Sequence, residues 1–286
     1  MKSGFVALAG RPNVGKSTLV NALCGGKVAI VSDKPQTTRH RMAGVVTGDG
    51  YQLVLVDLPG FQRPRDVLTA RMQRTVDHAL PSADGILFLL AGDERIGPGD
   101  RFIAERVFGQ PAPVVIALNK VDRLTPGRIA RQIVLAAELG DFRALHPVCA
   151  TTGDGVAALE RDLVALLPDG PLYFPPGELT DAPLVLRIAE LVREKALELT
   201  RDEVPHAITV EVEEVAGRRV RAVVLVETES QKRILVGKDG KMVREIGARA
   251  RVEIEPLLGH KAFLELAVKV RRRWRRDEQL LARMGI

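Results

Sequence analysis

Residues 4–23, GFVALAGRPNVGKSTLVNAL, constrain the fold more than any other stretch of this chain. An apolar run meets a glycine-bounded loop, Gly10-Arg11-Pro12-Asn13-Val14-Gly15, and then Lys16, Ser17 and Thr18 open a helical pattern. A loop of this kind between strand and helix presents several backbone N–H groups at the positive end of the helix dipole. That is what a polyphosphate needs, and the glycines let the backbone come close. The spacing GxxxxGK[ST] adds a lysine to reach the β- and γ-phosphates and a hydroxyl, Ser17, to ligate Mg²⁺. Thr18 extends the contacts to the α-phosphate from the first helical turn. The reading is therefore a nucleotide loop lined by residues 10–18.

The next segments supply what such a loop requires. Residues 27–41 have no apolar period and carry Thr37 and Thr38 before a basic cluster, so they read as a mobile loop. One of the two threonines should reach the metal or the γ-phosphate; Thr38 is favoured and Thr37 is the alternative. Residues 44–48 and 51–56 read as a strand pair turned at Gly48-Asp49-Gly50. The second strand runs into Asp57-Leu58-Pro59-Gly60. An acid at the end of a buried strand would hold Mg²⁺ through a water, and Gly60 would offer its N–H to the γ-phosphate. With Lys16 and Thr38, these two complete the predicted catalytic set.

Residues 61–66 read as a second loop before a helix through Met72, Val76, Ala79 and Leu80, followed by apolar strands at 85–92 and 113–118 with a helix near 102–108. Buried strands alternating with helices predict an α/β domain with a doubly wound, mostly parallel sheet. Asn119-Lys120-Val121-Asp122 then specifies the base. The Asp122 carboxylate can accept from guanine N1–H and N2–H₂, a donor pair that adenine lacks, so GTP is selected over ATP. Asn119 would bridge base and loop, and the Lys120 stem would lie along the purine. Cys149, Ala150 and Thr151 follow the last strand, and the Ala150 N–H is the candidate for guanine O6. Phe61 stands where a signalling GTPase carries a water-positioning glutamine, so slow intrinsic turnover is expected. Asn13 is the candidate ligand for a K⁺ ion beside the phosphates.

At 286 residues the chain accommodates two domains. No apolar run approaches a membrane span or a signal-peptide core. Cys24 and Cys149 have no metal spacing and are expected to be buried, reduced and quiet, as in a cytoplasmic protein. The formal charge of +6 is modest evidence for an anionic partner. Residues 167–181, rich in Pro and Gly, mark the boundary, which gives 1–168, a linker 169–182, a domain 183–270 and a tail 271–286. The second domain reads α-β-β-α-α-β with Gly237-Lys238-Asp239-Gly240 between its middle helices. This is the topology and GxxG loop of a type II KH fold, which holds about four single-stranded nucleotides. Lys232, Arg233, Lys238, Lys241 and Arg244 surround the loop, and residues 181–229 are net acidic while 230–286 are strongly basic. The tail, with Val270, Trp274, Leu281 and Met284 at helical spacing, predicts a basic amphipathic helix able to touch RNA or anionic lipid.

With GRPNVGKST, QTTRHR, DLPG, NKVD, the YFPP linker and VGKDGKMVREIGARAR in this order, the chain resembles the Era family of bacterial GTPases along essentially its whole length. Leu58 and Cys149 depart from the residues more usual there. The resemblance implies a GTP-controlled assembly factor of the small (30S) ribosomal subunit whose KH domain grips the 3′ end of 16S rRNA. It implies GTP/GDP and Mg²⁺ as ligands; a monomer is the default expectation, and a peripheral membrane contact a further one. Two rivals stay open: an RNA chaperone with structural GTP, and a membrane-associated signalling GTPase.

Overall fold

The computed structural model describes residues 1–34, 36–61 and 64–286, so Pro35 of the first predicted loop and Gln62 and Arg63 of the second lie outside the described residues. Two compact units form, the first within residues 1–181 and the second on Ala182–Ile286.

Among the described residues the first unit has six strands: β1 (Lys2–Ala9), β2 (Met42–Gly48), β3 (Tyr51–Asp57), β4 (Gly85–Ala91), β5 (Val114–Asn119) and β6 (Ala144–Pro147). They form one sheet in the order β2-β3-β1-β4-β5-β6. β2 and β3 are an antiparallel hairpin, and every other pairing is parallel. The helices that cover the sheet are α1 (Lys16–Cys24), α2 (Val67–Ala79), α3 (Pro98–Phe108), α4 (Pro126–Ala137) and α5 (Val156–Leu166). Strand alternation sends Val6, Leu8, Leu87 and Leu89 to the α1 and α5 side, and Ala7, Ala9, Ile86 and Phe88 to the side of α2, α3 and α4. Two-sided burial is why β4 reads GILFLLA with no polar interruption. The predicted doubly wound sheet is thus what forms. The sequence reading passed over α4, which fully buries only Ala136; Pro126 at its first turn and the helical spacing of Ile129, Ile133 and Ala136 were the available signals.

Residues 168–181 do not behave as a free linker. Ser3 N–H donates to Pro168 O (2.9 Å), Gly170 N–H to Met1 O (2.9 Å) and Val45 N–H to Leu179 O (2.9 Å). The side chain of Gln52, fully buried, accepts from the N–H groups of Tyr173 (2.8 Å) and Phe174 (3.0 Å) and donates to Phe174 O (2.9 Å). The Tyr173 ring sits 4.8 Å from that of Phe5. Asp181 accepts from Ala43 N–H (2.8 Å), and Thr180 bridges to Gly44 on β2. The segment is a strap on the outer edge of the sheet. Pro-Gly composition forbids regular structure but not attachment.

The second unit contains α6 (Leu184–Glu198), α7 (Val204–Ala207), β7 (Thr209–Ala216), β8 (Arg219–Val226), α8 (Glu229–Val236), α9 (Lys241–Leu258), β9 (Phe263–Val270) and α10 (Glu278–Arg283). The sheet order is β7-β8-β9, antiparallel then parallel. Ile188, Val192, Val220, Ala222, Val224, Leu235, Ile246, Ala250 and Ile254 form its core. Thr228 and Gln231 close a capping box at the start of α8.

Residues 271–286 are not one amphipathic helix. Arg273 adopts a left-handed conformation (φ 54°), which no helix interior tolerates, and a 3₁₀ turn and the six-residue α10 follow. Val270 ends β9, while Trp274 is fully buried and donates Nε1–H to Ala207 O (2.8 Å). Arg271, Arg272, Arg273 and Arg276 are exposed; Arg275 is half-buried and donates to His206 O (2.7 Å). Cys24 is half-buried rather than buried, yet burial pushes its thiol up to about 12, so it is quiet as expected.

Candidate functional site

β1 delivers residues 10–15 to the carboxyl end of the sheet, and α1 begins at Lys16. Gly15 has φ 101°, and a Cβ there would lie 2.2 Å from Asn119 Nδ2; a Cβ on Gly10 would lie 2.7 Å from Leu89 O. Both glycines are therefore required by space as well as by turning. The Lys16 ammonium is buried and donates to Gly10 O (3.2 Å) and Arg11 O (3.0 Å). Burial pushes its pKa down to about 8, against the pull of Asp57. Asn13 is exposed at φ 65°, Val14 is buried, and Thr18 follows Ser17 in the first turn of α1. Pro12 stacks under Gly60, where a Cβ would meet it at 2.9 Å. The Arg11 guanidinium points elsewhere: Nε donates to Asp100 Oδ1 (2.8 Å), and Nη2 pairs with Glu94 (2.9 Å). Only the Arg11 backbone is left to face an anion.

Ser17, Thr38 and Asp57 converge on one corner. Asp57 Oδ2 accepts from Ser17 Oγ (2.8 Å) and Thr38 Oγ1 (3.3 Å), and the two hydroxyls lie 2.9 Å apart. Burial raises the pKa of this carboxyl, with Lys16, Ser17 and Thr38 opposing the rise. Asp57 Oδ1 is buried without a hydrogen-bond partner among the described residues. A buried carboxylate oxygen beside two hydroxyls suits a hard divalent ion that keeps part of its water shell. It is Thr38, the favoured of the two threonines, that stands here. Phe61 is buried in the core with Leu58 and Val76.

The third corner is built on β5. Asn119 donates Nδ2–H to Val14 O (2.9 Å) and accepts from Ala150 N–H (3.0 Å), tying the phosphate loop to the turn after β6. Lys120 is left-handed (φ 65°), and Asp122 is exposed on the 3₁₀ turn Val121–Arg123. Cys149 is buried, with its sulfur 3.1 Å from Thr151 Oγ1. Phosphate, metal and base corners thus line one sheet end, where doubly wound folds bind ligands. Asp93, Glu94 and Asp100, which the sequence reading passed over, hold cations of this rim; the acid pair directly after a buried strand was the signal.

In the second unit the GxxG loop joins α8 to α9. Gly237 (φ 70°), Asp239 (φ 53°) and Gly240 (φ 73°) are all left-handed. A Cβ on Gly237 would meet Met242 at 2.7 Å. Arg244 donates to Asp239 O (2.6 Å) and so steadies the loop. Arg233, Lys238, Asp239, Lys241 and Arg244 are exposed, and Lys232 and Gly240 half-buried. A backbone bent outward and ringed by cations can take the sugar-phosphate chain of a single strand.

Fold and site together define a P-loop GTPase joined to a KH domain. The family model of the 50S ribosome-binding GTPases matches residues 5–120, and that of the KH domain residues 203–275. The GTPase Era of Mycobacterium avium is 47% identical over 99% of this chain and 98% of its own, as is that of Mycobacterium tuberculosis. Among solved structures, Era in complex with MgGDPNP and nucleotides 1506–1542 of 16S ribosomal RNA is 37% identical, with a TM-score of 0.94 over 100% of this chain and 99% of that one. An Aquifex aeolicus Era variant bound to GDP·AlF4⁻ gives a TM-score of 0.93 at the same identity and coverage. The chain belongs to the Era family of GTPases, and it binds guanine nucleotide and hydrolyses GTP.

Proposed function

We propose that the nucleotide state of the first unit sets how tightly the second grips single-stranded RNA from the 3′ end of 16S rRNA, and that the chain acts in assembly of the 30S subunit. The observation that carries this reading is the GxxG loop, in a chain whose relative at TM-score 0.94 was solved with a 16S rRNA fragment. In this reading residues 1–168 are the GTPase domain, 169–182 the connector, 183–270 the KH domain and 271–286 a basic tail. Backbone N–H groups of residues 10–18 would cradle the phosphates, and Lys16 would leave its carbonyl partners for the β- and γ-oxygens. Ser17, Thr38 and, through water, Asp57 would hold Mg²⁺, which when bound neutralises charge on the phosphates. Gly60 N–H would report the third phosphate. Asn119, Lys120, Asp122 and Ala150 would read guanine, with Cys149 and Thr151 shaping the turn. Lys232, Arg233, Lys238, Lys241 and Arg244 would meet RNA phosphates around residues 237–240. The protein would work in the cytoplasm as a monomer. The exposed arginines 271–273 and 276 would add contacts to RNA or, at a membrane surface, to anionic lipid.

Binding of a short RNA from the small-subunit 3′ end, measured at one salt concentration with GDP and with a non-hydrolysable GTP analogue, tests the coupling. A difference above about fivefold, roughly 1 kcal/mol, is expected. Equal affinities would leave two independent modules. Because Phe61 cannot orient water, slow turnover with K⁺ at Asn13 is the companion proposal. Turnover should be faster in KCl than in NaCl, and equal rates would remove the ion from the account.

A further inference from the structure

We infer that the turn after β4, through Asp93 and Glu94, is a positioning bracket that locks the phosphate loop to the base-reading turn before nucleotide enters. The turn is fixed from two sides by neutral bonds. Gly92 N–H donates to Asn119 O (2.8 Å), at the end of β5. From α4, Gln132 Nε2–H donates to Gly92 O (3.0 Å) and Glu94 O (2.8 Å). On that fixed turn, two carboxylates hold cations from both halves of the site. Glu94 Oε2 pairs with Arg11 of the phosphate loop (2.9 Å), while its Oε1 faces Lys120 Nζ of the base-reading turn (4.0 Å). Asp93 takes the same lysine at 3.6 Å and Arg123 at 2.7 Å. Arg11 is held a second time by Asp100, which is 1% exposed and also accepts from Gly97 N–H (3.0 Å) at the start of α3.

Half-exposed ion pairs add little to global stability, so stability alone gives this arrangement no purpose. Geometry does. The two ends of a nucleoside diphosphate touch loops about a hundred residues apart in sequence, and each loop that must be ordered on binding weakens affinity. Asn119 provides one neutral tie between them, and Glu94 provides a second, ionic one. The bracket also restrains Lys120, whose stem must lie flat along the purine, by holding its ammonium. The class of ligand served is the guanine nucleotide, and the inference rests on the base-reading role proposed for Asn119 to Asp122.

The test is release of a fluorescent GDP from the full chain. Glu94→Gln should speed release about five- to tenfold and raise KM in proportion, with kcat and melting temperature unchanged, since loss of positioning falls on dissociation. Arg11→Gln should speed release likewise, and the double variant should be no faster than either single one, because both remove the same tie. Wild-type release from Glu94→Gln, or two effects that simply multiply, would overturn the bracket. Asp122→Asn separates the layers. Should it speed release while Glu94→Gln does not, the bracket alone falls; should neither change release, the base-reading assignment falls and the bracket with it.

Discussion

Lys16 carries its charge into a place where no phosphate yet neutralises it, and that has a pH signature. Its native pKa is about 8 against an ordinary 10.5, so in the nucleotide-free protein the unfolded chain binds the extra proton between those values. This residue therefore makes stability rise with pH across that window, and its burial cost stands in full below pH 8. Phosphate oxygens restore the charge. GDP binding above about pH 8 should then take up one proton, with affinity falling towards tenfold per pH unit, and below pH 8 it should take up none. Calorimetry in buffers of different ionisation heat reads the proton directly. The placement of Lys16, Ser17, Asp57 and Asn119 at one sheet end was legible in the sequence because each stands at a set distance from a glycine or a strand end. The engagement of Arg11 was not, because its partner Asp100 lies 89 residues away and acids on a polar turn look alike on paper.

Among elements, those buried on two sides were the easiest to read. β4 and β5 have no polar interruption, and the GxxG loop is set off by a helix pattern on either side. α4 was legible and went unread: Ile129, Ile133 and Ala136 keep helical spacing, although only Ala136 among them is fully buried. The tail misled. Trp274, Leu281 and Met284 keep helical spacing, yet a left-handed Arg273 and the bond from Trp274 to Ala207 fold them back as a turn and a short helix. Tertiary packing overrides spacing when one large aromatic finds a core position. Backbone attachment is invisible to any pattern of side chains, and the strap of residues 168–181 is held largely that way.

For the whole molecule, one chain joins a hydrolase to a KH domain, and its formal charge of +6 is concentrated in the carboxyl-terminal third. That asymmetry predicts little about the fold and much about salt: RNA affinity should fall steeply with ionic strength, and nucleotide affinity, which rests more on the buried Lys16 and on backbone N–H groups, should fall less steeply. The strap bears on a different matter, colloidal behaviour. β2 is an outer strand, and Thr180, Leu179 and Asp181 occupy the groups by which it would pair with another copy. A fragment ending at residue 168, where the sequence pattern of the first domain stops, exposes that edge together with the face of Phe5. Light scattering should find it self-associating at concentrations where a fragment ending at residue 182 stays monodisperse. What reads as a connector is thus also the first domain's guard against its own copies.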